Sequence, residues 1–227
     1  MRLASWVLIA AVVAGTSYAA SWALPITPGV GIAWKGSGVA LLALYAALTA
    51  RGVDGWLLTA VMAFGAAGDV LLETHGLTAG ALAFLAGHLT AICLYLRNRR
   101  ARLSAVERIA VPALAAAIVA LAFALPADRA SAPAAALYAA GLGGMAAAAW
   151  TSRFPRRMTA LGAMMFVVSD LLIFARTGRP IAHAPGIGLT VWGLYLAGQT
   201  LIVLGVTRAT SIPPRPDRSP HTSRFSA

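Results

Sequence analysis

Eight stretches of 18 to 21 mostly apolar residues run through this chain, at 3–23, 33–50, 55–73, 77–96, 107–125, 132–150, 158–176 and 187–206. A helix rises about 1.5 Å per residue, so crossing roughly 30 Å of hydrocarbon takes about 20 residues. Each stretch is long enough for one crossing. The segments between them hold residues that break helices or prefer water: Pro25 and Pro28, Arg51 and Asp54, His75-Gly76, the Arg97 to Arg108 run, Pro126, Pro155, and Gly178 to Pro185. A backbone in lipid must satisfy its own N–H and C=O groups, and a helix does this within one segment. The expected fold class is therefore all-α, a polytopic membrane bundle of about eight transmembrane helices. Composition agrees: 11% of the residues are charged, whereas an ordinary soluble domain carries about 25%.

The membrane region reads as a single domain over residues 1–210. The segment 211–227, rich in Pro, Arg and Ser, reads as a disordered cytoplasmic tail. The first stretch has a second reading. Arg2, an apolar run and Ser17-Tyr18-Ala19 together resemble a cleavable signal peptide. Its length favours a span, and cleavage would leave the remaining topology unchanged.

The net charge of +11 does not point to nucleic acid, because the basic residues lie between apolar spans. Placing the N-terminus inside puts 14 basic residues in the inner segments: Arg2, Arg51, Arg97, Arg99, Arg100, Arg102, Arg108, Arg153, Arg156, Arg157, Arg208, Arg215, Arg218 and Arg224. Four remain outside, Lys35, Arg129, Arg176 and Arg179. The positive-inside rule then predicts a cell-membrane protein with both termini in the cytoplasm.

Two signatures recur in order, four spans apart. Gly68-Asp69-Val70-Leu71-Leu72 in the third span matches Ser169-Asp170-Leu171-Leu172-Ile173 in the seventh. Phe84-Leu85-Ala86-Gly87-His88 in the fourth matches Tyr195-Leu196-Ala197-Gly198-Gln199 in the eighth. Four is even, so the halves, about 1–100 and 101–210, are expected to be parallel repeats about an axis along the membrane normal. Asp69 and Asp170 would then lie at equal depth, with His88 opposite Gln199.

A charged side chain at a span's centre costs about 2.5–3.5 kcal/mol on insertion scales, so each one asks for a reason. Asp69 and Asp170 lie one to two turns from the outer ends of their helices, and Glu73 shares the face of Asp69. Lys35, the chain's one lysine, opens the second span, and His88 and Gln199 lie near mid-membrane. Each has a plain structural reading: caps or packing bonds for the aspartates, a satisfied core histidine, a lysine reaching for the headgroups. The matched pair of acids favours function. His75, His183 and His221 fall in loops or the tail, and Cys93 reads as a small buried apolar residue. Gly141 to Gly144 speaks of close helix packing. Trp6, Trp22, Trp34, Trp56, Trp150 and Trp192 read mostly as interfacial anchors. No phosphate loop, nucleophile elbow or zinc motif stands out, so neither metal nor cofactor is expected.

Taken together, Lys35, Gly68-Asp69, Gly87-His88, Tyr138, Ser169-Asp170, and Tyr195 four residues before Gln199 resemble the YhhN/TMEM86 family of lysoplasmalogenase-like membrane proteins. The resemblance runs from about residue 35 to 206. It implies hydrolysis of the vinyl-ether bond of lysoplasmalogens to a fatty aldehyde and a glycerophospho-alcohol. The implied partners are a lysophospholipid or ether-lipid substrate and the membrane lipids. That reaction needs a proton on the alkenyl carbon, stabilisation of the resulting oxocarbenium ion, and water. Two carboxyl groups in unlike environments divide such work. Asp69, Asp170 and His88 are then the expected catalytic residues. Lys35, Glu73, Tyr138, Tyr195 and Gln199 are expected around the substrate, with Lys35 on its phosphate. Two other readings compete: a lipid or small-molecule transporter with ionisable residues at the repeat interface, and a structural or sensory membrane protein.

Overall fold

The structure, a computed structural model, describes residues 2–177 and 186–211. Its helices are α1 (Arg2–Ser17), α2 (Pro28–Thr49), α3 (Gly52–Thr74), α4 (Leu77–Arg97), α5 (Ala105–Ala124), α6 (Ala132–Thr151), α7 (Leu161–Arg176) and α8 (Ile187–Ser211). A 3₁₀ turn, Tyr18–Ala23, prolongs α1, and a π turn, Arg156–Ala160, leads into α7. With these turns included, eight segments are long and apolar enough to cross a membrane. This is a multi-pass helical bundle, as the apolar stretches require.

Local chemistry sets several boundaries. Pro28 opens α2, where its missing N–H would be unbonded in any case. The helix α5 starts on a capping box, with the Ser104 hydroxyl accepting from Glu107 N–H and the Glu107 carboxylate accepting from Ser104 N–H. Gly76 joins α3 to α4 at φ +84, a left-handed conformation that favours glycine. The eighth helix outruns the expected span, continuing through Thr207 to Ser211. Ser211, the first residue of the expected tail, is thus helical, and the rest of that tail, 212–227, lies outside the described residues with the 178–185 break.

Six helices form a ring in the order α2, α3, α4, α6, α7, α8 and back to α2, with α3 also meeting α8 across it. The other two flank the ring: α1 against α2 and α8, α5 against α6 and α7. They are the least enclosed spans, with 17% of α1 and 11% of α5 buried. Lipid tails are as apolar as leucine, so cohesion rests on close packing and hydrogen bonds between helices. Where α1 crosses α2, a Cβ on Gly38 would meet the Gly15 Cα at 2.8 Å. Beside that crossing, Trp192 Nε1 of α8 donates to the Gly15 carbonyl at 2.7 Å. Trp192 is thus a buried packing residue instead of the interfacial anchor expected of it. Cys93 also departs from expectation: it is exposed on the outer surface of α4.

Neighbouring helices joined by short loops run antiparallel, so the α1–α2, α3–α4 and α5–α6 junctions share one end of the bundle. The other end carries Arg51, Arg97, Arg99, Arg100, Arg102, Arg108, Arg153, Arg156, Arg157 and Arg208, and is called the basic end below. There the α4–α5 and α6–α7 loops are joined by backbone bonds, Arg100 N–H to Thr151 O at 3.0 Å and Arg153 N–H to Asn98 O at 2.8 Å. Arg97 pairs with Asp54, and Arg100 and Arg156 both hold Glu107.

Candidate functional site

The buried polar groups gather in the half of the bundle away from the basic end. Asp69 stands five residues before the end of α3, and Asp170 six before the end of α7. These separations place both about 7–9 Å from that end by helical rise. Both are buried, 2% and 7% exposed. Asp170 lies within electrostatic reach of Asp69, as do Lys35 and Glu73.

Each carboxyl group is held by one tyrosine. Tyr195 of α8 donates its hydroxyl to Asp69 Oδ2 at 2.9 Å, and Tyr138 of α6 donates to Asp170 Oδ2 at 2.6 Å. Each tyrosine then continues to a polar residue deeper in the bundle. His88 Nε2 meets the Tyr138 hydroxyl at 3.0 Å, and Gln199, one turn along α8 from Tyr195, brings its amide beside Gly65 next to the Tyr195 hydroxyl. Two chains result, Asp170–Tyr138–His88 and Asp69–Tyr195–Gln199. The first links α7 and α6 to α4, the second links α3 to α8. A hydrogen bond left unmade in hydrocarbon is costly, so each chain ties its helices together as well as placing its ends.

The proton count within the first chain is constrained. A tyrosine hydroxyl has one proton to give. While Tyr138 donates to an ionised Asp170, His88 must supply the proton of the 3.0 Å contact from Nε2. If Asp170 carries the proton instead, Tyr138 donates to a bare Nε2. With Nδ1 protonated in both, the two states differ by concerted shifts of protons along the chain, one an imidazolium with a carboxylate and the other a neutral imidazole with a neutral acid.

Aromatic rings fix these groups. Phe84, Phe166 and Tyr195 pack edge to face, with Phe84–Tyr195 centroids 5.8 Å apart and Phe166–Tyr195 centroids 5.1 Å apart. His88 lies edge-on to Phe166 at 5.0 Å. The rings leave Tyr195 little rotational freedom, so its hydroxyl is aimed before anything binds. Gly65, one turn before Asp69, makes room for the deeper end of the second chain. A Cβ there would lie 2.9 Å from Gln199 Nε2 and 3.5 Å from the Tyr195 hydroxyl.

Below the carboxyls lies a small cavity of about 20 Å³, with His88, Gln199, Phe84, Phe166, Met145 and Tyr95 in its wall. The Tyr95 hydroxyl is fully buried and has no hydrogen-bond partner among the described residues, so it offers the cavity's contents a further bond. Neither carboxyl forms part of the wall; each stands one tyrosine hydroxyl behind it. His88 and Gln199 do share it, from opposite sides of the ring. Toward the bundle end, Lys35 Nζ meets Glu73 Oε1 at 2.6 Å, with Lys35 buried and the Glu73 side chain 44% exposed. Glu73 pulls the ammonium toward the surface while the lysine stem stays packed in α2.

All eight residues singled out by sequence thus fall in one region, as two chains and an ion pair. The tyrosine-to-carboxyl pairing, the Lys35–Glu73 bond, and the parts played by Gly65, Phe166 and Tyr95 are additions of the structure. Only the four-residue spacing of Gly65 and Asp69 carried a hint, since it puts both on one helix face. Among the described residues, no three His, Cys, Asp or Glu side chains gather as metal ligands do.

No curated protein and no solved structure matches the chain. The YhhN family model matches residues 30–206, which takes in every residue of both chains and the ion pair. On that match, the chain belongs to the YhhN family.

Proposed function

We propose that this protein is a lysoplasmalogenase-like hydrolase, cleaving the vinyl-ether bond of a lysophospholipid within the membrane. The observation that carries the reading is the pair of buried carboxyls, each wired through a tyrosine to the wall of one cavity. Family membership supports it. The reaction needs an acid and a charge-stabilising carboxylate close together, and Asp170 and Asp69 are within electrostatic reach.

In this reading the proton travels along the first chain. His88 delivers a proton to the alkenyl carbon, and Asp170 replaces it through Tyr138. The carbon–carbon double bond becomes a single bond, and the ether oxygen shares its lone pair to form an oxocarbenium ion. Asp69, which accepts the Tyr195 hydroxyl, serves as the carboxylate that stabilises this cation. Gln199 orients the attacking water. Water adds to the carbon that bears the ether oxygen and releases a proton back to the chain. The hemiacetal then collapses to aldehyde and glycerophospho-alcohol. General acid–base catalysis of this kind contributes about 10²–10⁴-fold.

The substrate's phosphate is placed at Lys35, near the interface, and its alkenyl chain runs down toward the cavity. Binding would exchange the Lys35–Glu73 bond for one to phosphate. The 14-to-4 basic asymmetry supports a cell membrane setting with both termini cytoplasmic.

The test is purified protein incubated with matched alkenyl and acyl lysolipids, with products read by mass spectrometry. Aldehyde from alkenyl lipids alone is the expected result. Fatty-acid release would make it an esterase. Unchanged lipids that cross a vesicle membrane would favour the transporter reading.

A further inference from the structure

A second site lies at the opposite end of the bundle, remote from both carboxyls. Helices α4 and α5 each pack on α6 but barely touch one another. A groove of about 390 Å³ therefore opens between them on the outer face. Ile92 and Leu96 of α4 form one wall, and Val111 and Pro112 of α5 the other. The floor is α6, where Gly144, Ala147 and Ala148 are too small to fill the gap. Closing α4 onto α5 would require larger side chains or a different loop, and the 98–104 segment is already pinned to the α6–α7 loop by its backbone bonds.

The groove is apolar along its length and cationic where it reaches the basic end. Arg99 and Arg108 line that mouth together with Glu107. Glu107 is held by Arg100 at 2.8 Å and also by Arg156. Four guanidinium groups thus face one carboxylate, a net charge of three positive. Arg99 and Arg108 have no carboxylate partner among the described residues.

We propose that this groove binds one anionic diacyl phospholipid from the leaflet at the basic end, with its phosphate on Arg99 and Arg108 and one acyl chain over Ala147. An unfilled groove between helices forfeits dispersion contacts along its lining, and a chain restores them. The charge selects the headgroup. A zwitterionic lipid carries its own cation into a field of net three positive charges, whereas an anionic lipid brings only the matching sign. Basic pockets between helices at the membrane surface recognise anionic headgroups by this means. The guanidinium fork is suited to phosphate oxygens.

Native mass spectrometry of the delipidated full-length protein tests this, with dioleoylphosphatidylglycerol and dioleoylphosphatidylcholine as probes at equal concentration. The expected result is one phosphatidylglycerol retained per chain, at least about tenfold over phosphatidylcholine, a gap of about 1.4 kcal/mol. The double variant Arg99→Gln, Arg108→Gln should abolish that preference. Arg102→Gln, an equal charge loss on the same loop, should keep it. Ala147→Phe, which fills the floor while leaving every arginine, should weaken retention of phosphatidylglycerol severalfold. Equal retention of the two lipids by the unaltered protein overturns the proposal. So does loss of preference in Arg102→Gln as large as in the double variant, or an Ala147→Phe protein that binds as before. Should the double variant not fold, Arg99→Gln alone and Ala147→Phe decide the matter.

Discussion

The two buried carboxyls are held alike and wired differently. Asp69 and Asp170 each accept one tyrosine hydroxyl, at 2.9 and 2.6 Å, and each chain ends in the wall of the same cavity. On the Asp170 side the chain ends in His88, whose ring can take a proton on one nitrogen as it gives one up from the other. On the Asp69 side it ends in Gln199, an amide that does not titrate. Lys35 acts on Asp69. In the proposed reading, similar scaffolding with one altered end residue gives the two acids separate tasks, one moving a proton and one holding a charge.

The largest effects should come from the carboxyls themselves. Asp170→Asn and Asp69→Asn are each expected to lower aldehyde release by about 10²–10⁴-fold in protein that remains folded by size-exclusion and circular dichroism. Normal turnover in either variant would remove that carboxyl from the chemistry. The comparison is sharpened by His88→Gln, which makes the end of the first chain a copy of the second. A loss in kcat of about 10²-fold is expected, because a ring that can relay a proton has been replaced by an amide that cannot.

The tyrosines divide the two chains next. Tyr138→Phe cuts the route from Asp170 to His88, whereas Tyr195→Phe removes only one hydrogen bond from Asp69. The first should lose about 10²-fold in kcat and the second about tenfold. Equal losses in kcat would break the asymmetry. Both variants should also unfold more readily, by about 1–3 kcal/mol, since each leaves a buried carboxyl short of a partner. Lys35→Gln should have the smallest effect, a rise in KM of about tenfold with kcat little changed, consistent with binding phosphate at a cost of about 1.4 kcal/mol.

The two ends of the bundle show why some of this was legible in the chain and some was not. The spans were readable because hydrocarbon thickness fixes a length and excludes charge, and both constraints act residue by residue. The observed helices follow the apolar stretches within a few residues, apart from α2, which begins five residues early at Pro28, and α8, which runs on to Ser211. Asp69 and Asp170 were readable for the same reason: an acid inside an apolar run stands out. Trp192 and Cys93 were misjudged because residue type and position along a helix do not say which way the side chain faces. Trp192 turns inward to the Gly15 carbonyl, and Cys93 turns outward.

What belonged to the sequence alone was the class of the protein, eight membrane-crossing helices with a few ionisable groups among them, because transfer of each segment from water to lipid depends mainly on its own composition. Which tyrosine meets which aspartate belonged to the tertiary structure. Tyr195 and Asp69 are 126 residues apart in the chain, and no local rule of spacing reaches that far. Their meeting depends on helices crossing at glycines and on a ring order, α4 beside α6 and α8 beside α2, which only the packing of all eight helices together decides.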